Sequence, residues 1–119
     1  MQNVIVMNAS ASQDIIAEQA NSDEMLLKSV ANGSRTAMHI LYARHHVRIY
    51  RFILRIVRAA AMAEDLTSQV FLDVWRTARQ FEGRSQVSTW LLSIARFKAL
   101  TTLRQRRHES IDKEDVLEI

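Results

Sequence analysis

The sequence predicts an all-α fold, a compact bundle of three main helices plus a short leading helix, on three observations. Proline is absent and glycine occurs only at Gly33 and Gly83, so little in the chain interrupts a helix. Apolar residues recur close to the 3.6-residue period over three long stretches. Aspartate or serine precedes three of the four helical stretches, where a helix needs an acceptor for its unpaired N–H groups.

The elements follow in order. Residues 1–21, rich in Asn, Ser, Ala and Gln with weak periodicity, read as a flexible N-terminal arm. Asp23 is placed to cap a short helix over 24–32 with Met25, Leu26, Leu27 and Val30 as its apolar residues. Asn32-Gly33 ends it, because glycine suits the left-handed conformation that follows a helix. Ser34 caps a long helix to about residue 58, with Met38, Leu41, Tyr42, Ile49, Phe52, Ile53 and Ile56 as its apolar stripe. A third helix is predicted over 62–78. At 100° per residue, Ala63, Leu66, Val70, Phe71, Val74 and Ala78 fall on one side of it. Residues 79–87 form a polar loop. Ser88 caps the fourth helix, which runs to about residue 107 with Leu91, Ile94, Ala95 and Ala99 toward the core.

Composition narrows the function. A chain of 119 residues, 48% of them hydrophobic, is one domain with a core of its own. Without cysteine there is no disulfide framework and no zinc-thiolate site. No apolar run approaches the roughly 20 residues that span a bilayer, so no membrane insertion is expected. The opening MQNVIVM lacks the cationic start of a secretory signal, and a cytoplasmic location is expected. His39, His45, His46 and His108 give no i, i+4 pair with a nearby carboxylate, so no metal is expected. There is no glycine-rich phosphate loop and no local signature of a nucleophile. The chain reads as a non-enzyme without a cofactor.

Charge is unevenly spread. Residues 34–61 carry six arginines and no acid, and residues 79–108 carry seven Lys/Arg against Glu82. Residues 62–78 between them hold one Arg against three acids, and residues 109–119 hold Lys113 against five. Two basic blocks parted by an acidic one suggest one surface for a polyanion and another for something else.

Two features stand out from the core pattern. On the third helix, Asp65, Gln69, Leu72 and Arg76 share the stripe opposite the core, flanked by Ser68 and Asp73. Leu72 there is either ordinary exposed surface or part of a ridge that meets a partner helix. On the fourth helix, Arg96, Arg104 and Arg107 lie away from Leu91 with Leu100 among them. Arg79, Arg84 and Lys98 add charge, and Phe81, Trp90 and Phe97 are interleaved. This is either a solvated basic face, with Trp90 and Phe81 in the core, or a surface that tracks phosphates and stacks on unpaired bases.

Three segments carry a family resemblance. Ala63-Glu64-Asp65-Leu66-Thr67 with Val70-Phe71-Leu72-Asp73-Val74-Trp75-Arg76 is similar to the core-binding helix of region 2 in extracytoplasmic-function sigma factors of bacterial RNA polymerase. Phe81-Glu82-Gly83-Arg84-Ser85 with Ser88-Thr89-Trp90-Leu91 resembles that family's promoter-melting loop. Ile94-Ala95-Arg96, Ala99-Leu100 and Leu103-Arg104 resemble its −10 reading helix. Leu26 to Val30, Gly33 and Tyr42 fit its first segment. The resemblance covers about residues 22–107.

The resemblance implies a region 2 domain over 22–108 that binds the polymerase core and recognises and melts the −10 element. Asp65, Ser68, Gln69, Leu72, Asp73 and Arg76 would meet the clamp helices of the largest polymerase subunit. Phe81, Arg84, Ser85, Gln86, Arg96, Lys98, Arg104 and Arg107 would bind promoter DNA. The non-template strand is captured there, with one base flipped into a pocket at the loop. An anti-sigma factor is a further expected partner. Some positions depart from the family: Ser68 and Gln69 stand where it usually has Gln and Glu, and Phe97 and Thr101 where Asn and Asp are common. Family members also carry a −35-reading domain. This chain stops at Ile119, in what resembles the acidic start of an interdomain linker over 109–119, so a fragment is expected. The competing reading is a helical protein-interaction module, an anti-sigma decoy or adaptor, with no DNA role.

Overall fold

The computed structural model describes residues 21–118, with side chains to Lys113; the arm expected over 1–21 lies outside the described residues but for Asn21. Among the described residues there are four α-helices and no strand. They are α1 (Asp23–Ala31), α2 (Arg35–Val57), α3 (Ala60–Thr77) and α4 (Val87–Glu118), with a single 3-10 turn, Ala78–Gln80, after α3. None of these helices is long and apolar enough to cross a membrane.

The first connection is tight because its caps overlap. The cap of α1 is Ser22, whose Oγ accepts from the Met25 amide at 3.2 Å, and not Asp23 as the sequence suggested. Asp23 is drawn elsewhere: its carboxylate takes Arg44 at 3.0 Å and His45 Nε2 at 2.8 Å, both on α2. At the other end the Ser34 amide donates to Ser29 O and the Gly33 amide to Val30 O, each at 2.9 Å. That double closure requires a left-handed residue between, and Gly33 sits at φ +92°. Ser34 then caps α2 as expected, its Oγ accepting from the Ala37 amide at 3.1 Å.

Arg58 and Ala59 alone join α2 to α3, which folds the two helices back on each other. Arg58 closes α2 in the left-handed conformation, φ 56°, its amide donating to Leu54 O at 2.8 Å. Ala59 gives α3 no side-chain cap.

The predicted stripe of α3 is buried throughout: Ala63, Leu66, Val70, Phe71 and Val74, with Ala78 in the turn beyond. It packs against Leu41, Ile49 and Ile53 of α2 and Leu91, Ala95 and Ala99 of α4, while α1 adds Leu26, Leu27 and Val30. Ile94 is only half-buried. Tyr42, expected in the α2 stripe, is exposed, its ring stacked on His46 and edge-on to Phe71 at 4.9 Å. The buried Thr67 hydroxyl donates to Ala63 O at 2.7 Å, so its polarity is satisfied within the helix.

α4 differs from expectation at both ends. The Trp90 amide donates to Gln86 O at 3.1 Å, so the helix starts from Gln86, and Ser88 lies within its first turn. The helix also continues past residue 107 to Glu118, because no glycine or proline stops it. Residues 104–113 are all exposed, although Gln105, Arg106, Glu109 and Ser110 still border the start of α3, so this end rests more on local propensity than on burial.

Phe71→Ala is expected to cost about 3–5 kcal/mol in denaturant unfolding, since it removes a large buried ring. Arg58→Gly is expected to raise stability by up to about 1 kcal/mol by relieving the left-handed turn. A destabilised Arg58→Gly protein would show that the turn is held by the arginine side chain.

Candidate functional site

The one-sided burial of α3 leaves the opposite stripe in solvent. Asp65, Ser68, Gln69, Leu72 and Arg76 are all exposed, with Leu72 at 46%. Trp75 is 37% exposed and lies one turn from Leu72, on its Ser68 side, so the apolar part of this face is wider than one leucine. On the other flank, Asp65 and Gln69 line a polar groove shared with Thr102, Gln105 and Arg106 of α4. Such a ridge, apolar at its centre and polar at its rim, has the make-up of a protein-docking surface.

Asp73 does not simply join this face. Its carboxylate binds Lys98 Nζ at 2.7 Å, with the two side chains 36% and 20% exposed. The pair links α3 to α4, and it joins one residue expected to meet polymerase to one expected to meet DNA. It marks the seam between the two faces.

Beyond the seam lies the loop and α4. Arg96, Arg104 and Arg107 are exposed on the helix as expected. Three other cations of this region, Arg79, Arg84 and Lys98, have partners within the fold. Arg79 Nε donates to Ala31 O at 3.2 Å, where a cation offsets the negative end of α1. Arg84 pairs with Glu82 at 3.0 Å, both so exposed that the contact is worth little and Arg84 stays available. Gly83 takes φ +75° and turns the loop, with nothing packed above it. Ser85 and Gln86 are exposed, the Ser85 hydroxyl donating weakly to Gln86 O at 3.3 Å.

The three aromatics separate. Phe81 and Trp90 are half-buried on one another, ring centroids 5.2 Å apart, and both back onto the core. Phe97 stands 71% exposed, the most open large apolar side chain described. It borders a groove of about 430 Å³ between the end of α3 and α4, which Asp73, Thr77, Gln80, Trp90, Ser93 and Lys98 also line. Phe97 was expected only as one of three aromatics interleaved with the basic face, and Gln80 and Ser93 were not expected at all. The helical period carries a signal for Phe97 and Ser93, which share the α4 arc of Leu100 and Arg104. Gln80 had none, because its place depends on the turn after α3.

Residues 41–109 match the family model Sigma-70 region 2. The chain is 39% identical over 77 residues to RNA polymerase sigma factor CarQ of Myxococcus xanthus, covering 65% of this chain and 44% of that one. It is 33% identical over 86 residues to ECF RNA polymerase sigma factor SigK of Mycobacterium ulcerans, covering 70% and 46%. ECF RNA polymerase sigma factor SigX of Bacillus subtilis is 40% identical over 73 residues, covering 56% and 38%. The chain thus spans less than half the length of these relatives.

The seam pair is open to measurement. A double-mutant cycle of Asp73→Asn and Lys98→Met is expected to give a coupling of about 1 kcal/mol in thermal unfolding. A coupling of zero would mean that the two side chains do not hold each other in solution.

Proposed function

Because the chain belongs to the sigma-70 region 2 family, we propose that it binds RNA polymerase core and captures the non-template strand of a −10 promoter element. The carrying observation is the matched segment, residues 41–109, which includes both exposed faces on either side of the Asp73–Lys98 seam. It acts by binding, without chemistry of its own, and polymerase as partner places that work in the cytoplasm.

The α3 face is the polymerase side. Leu72 and Trp75 give an apolar centre, and Asp65, Ser68, Gln69 and Arg76 give the rim that fixes register on the clamp helices of the largest subunit. Asp73 serves this face indirectly by holding Lys98. An anti-sigma factor that blocked this ridge would silence the protein.

The loop and α4 are the DNA side. Arg96, Arg104 and Arg107 take phosphates, with Arg84 at the loop. A single unstacked base enters the groove beside Phe97, whose exposed ring offers a stacking surface. Gln80, Ser93 and the Asp73–Lys98 pair supply donors and acceptors to its edge. Phe81 positions Trp90 from below, and Ser85 and Gln86 set the loop's approach. Base choice then depends on groove shape and phosphate affinity does not.

Binding assays with polymerase core and single-stranded −10 oligonucleotides separate these roles. Leu72→Glu with Gln69→Ala is expected to abolish polymerase binding with the melting temperature nearly unchanged. Phe97→Ala is expected to lose about 1–3 kcal/mol of oligonucleotide affinity, again without loss of stability. Arg104→Ala and Arg107→Ala are each expected to flatten the salt dependence by roughly one unit, equally for all sequences. Gln80→Ala with Ser93→Ala, both in the groove lining, is expected to change base preference at one position, and exchange of residues 82–87 to change it through the loop's approach to the groove. Polymerase binding without any DNA effect would favour the protein-interaction module instead.

A further inference from the structure

The basic block on α2 takes no part in the function proposed above. Residues 34–61 hold six arginines with neither an acid nor a lysine. Four of them, Arg44, Arg48, Arg51 and Arg55, fall at spacings of four, three and four, which sets them along one flank of the helix. The structure brings these four together around a shallow groove of about 510 Å³ whose other lining includes Val47 and Leu92 of α4. Arg44 is engaged by Asp23. Arg48, Arg51 and Arg55 are exposed, and no carboxylate among the described residues pairs with them.

Holding such a row of like charges exposed on a small domain is unfavourable unless an anion meets it. Two properties select the anion. Seven residues of helix set Arg48 and Arg55 about 10 Å apart, a span of about three phosphates of one duplex strand at 3.4 Å of axis each. Arginine alone, without lysine, supplies planar forked donors suited to phosphate oxygens. Position supports the same choice. Arg96 lies one turn beyond Leu92 on the same flank of α4, so the α2 row continues toward the arginines of the DNA side.

We propose that the Arg48, Arg51 and Arg55 row of α2 is a second, sequence-independent binding surface for the phosphate backbone of nucleic acid. It holds a stretch of strand or duplex away from the base-reading groove. The inference rests on the DNA-binding reading only for where the strand comes from; the row's chemistry stands by itself.

The test uses the full chain with Arg48→Ala, Arg51→Ala and Arg55→Ala combined, and a second protein carrying Lys at the same three positions. Affinity is measured for random-sequence duplex, random single strand and a −10 oligonucleotide series across salt. The alanine protein is expected to bind random DNA with a slope of log affinity against log salt shallower by about 2.7 for duplex or about 2.1 for single strand. Whichever arm changes identifies the form of nucleic acid held. The lysine protein is expected to keep most of the slope, and both proteins to keep the wild-type melting profile and −10 base preference. A wild-type slope in the alanine protein on both random substrates overturns the proposal. So does that result with a loss of polymerase binding, which would assign the row to an acidic protein surface. Failure of the −10 reading would appear separately, as a wild-type chain with no base preference.

Discussion

The burial of one stripe of α3 is the constraint on which the rest of the structure depends. Ala63, Leu66, Val70, Phe71 and Val74 face a core to which α1, α2 and α4 all contribute. Burying each large apolar side chain is worth about 1.5–3 kcal/mol, against a net stability of about 5–15 kcal/mol for a whole domain. A slip of one residue turns the helix by 100°: in one direction it would carry Asp73 to the buried position of Val74 and turn Phe71 out to that of Leu72. The register of α3 is therefore not adjustable. With it is fixed the outward aim of Asp65, Gln69, Leu72 and Arg76, and the sideways reach of Asp73 to Lys98.

From that constraint come two neighbouring surfaces of different chemistry. One carries leucine and tryptophan among short polar side chains. The other carries arginines, a loop turned at Gly83 and a free phenyl ring beside a groove. A partner protein and a polyanion can engage such a domain together, because the two surfaces lie on either side of the Asp73–Lys98 ion pair. Small residues make this geometry possible: Ala95 and Ala99 let α4 approach α2 and α3 closely, which brings the groove to the end of α3. The arginine row of α2 lies around the far flank of α4 and widens the cationic surface without touching the docking ridge.

Much of this was readable from local pattern. The α3 stripe, the Ser34 cap and the Gly33 turn depend on residues within one or two turns of each other, and all three appear as expected. At the first helix cap and at two cations, a distant residue had decided the outcome against expectation. Ser22 and Asp23 are both good caps, and the choice falls to Ser22 while the Asp23 carboxylate is held by Arg44 and His45, more than twenty residues away. Arg79 and Lys98 looked like free charge until folding brought Ala31 O and Asp73 to them. The start of α4 at Gln86 rests on a backbone carbonyl, which no side-chain pattern announces. The helical end of α4 was misplaced for a different reason: its acidic composition suggested a linker, although nothing in it breaks a helix.

The central claim is that the α3 ridge and the α4 groove serve two different partners at once. Photo-crosslinking from Leu72 and, in a second protein, from Phe97 tests it most directly, in a complex of this chain with polymerase core and a promoter fragment. The account predicts that the probe at position 72 joins the largest polymerase subunit and the probe at position 97 joins the non-template strand. Crosslinks from both positions to the same molecule would contradict it.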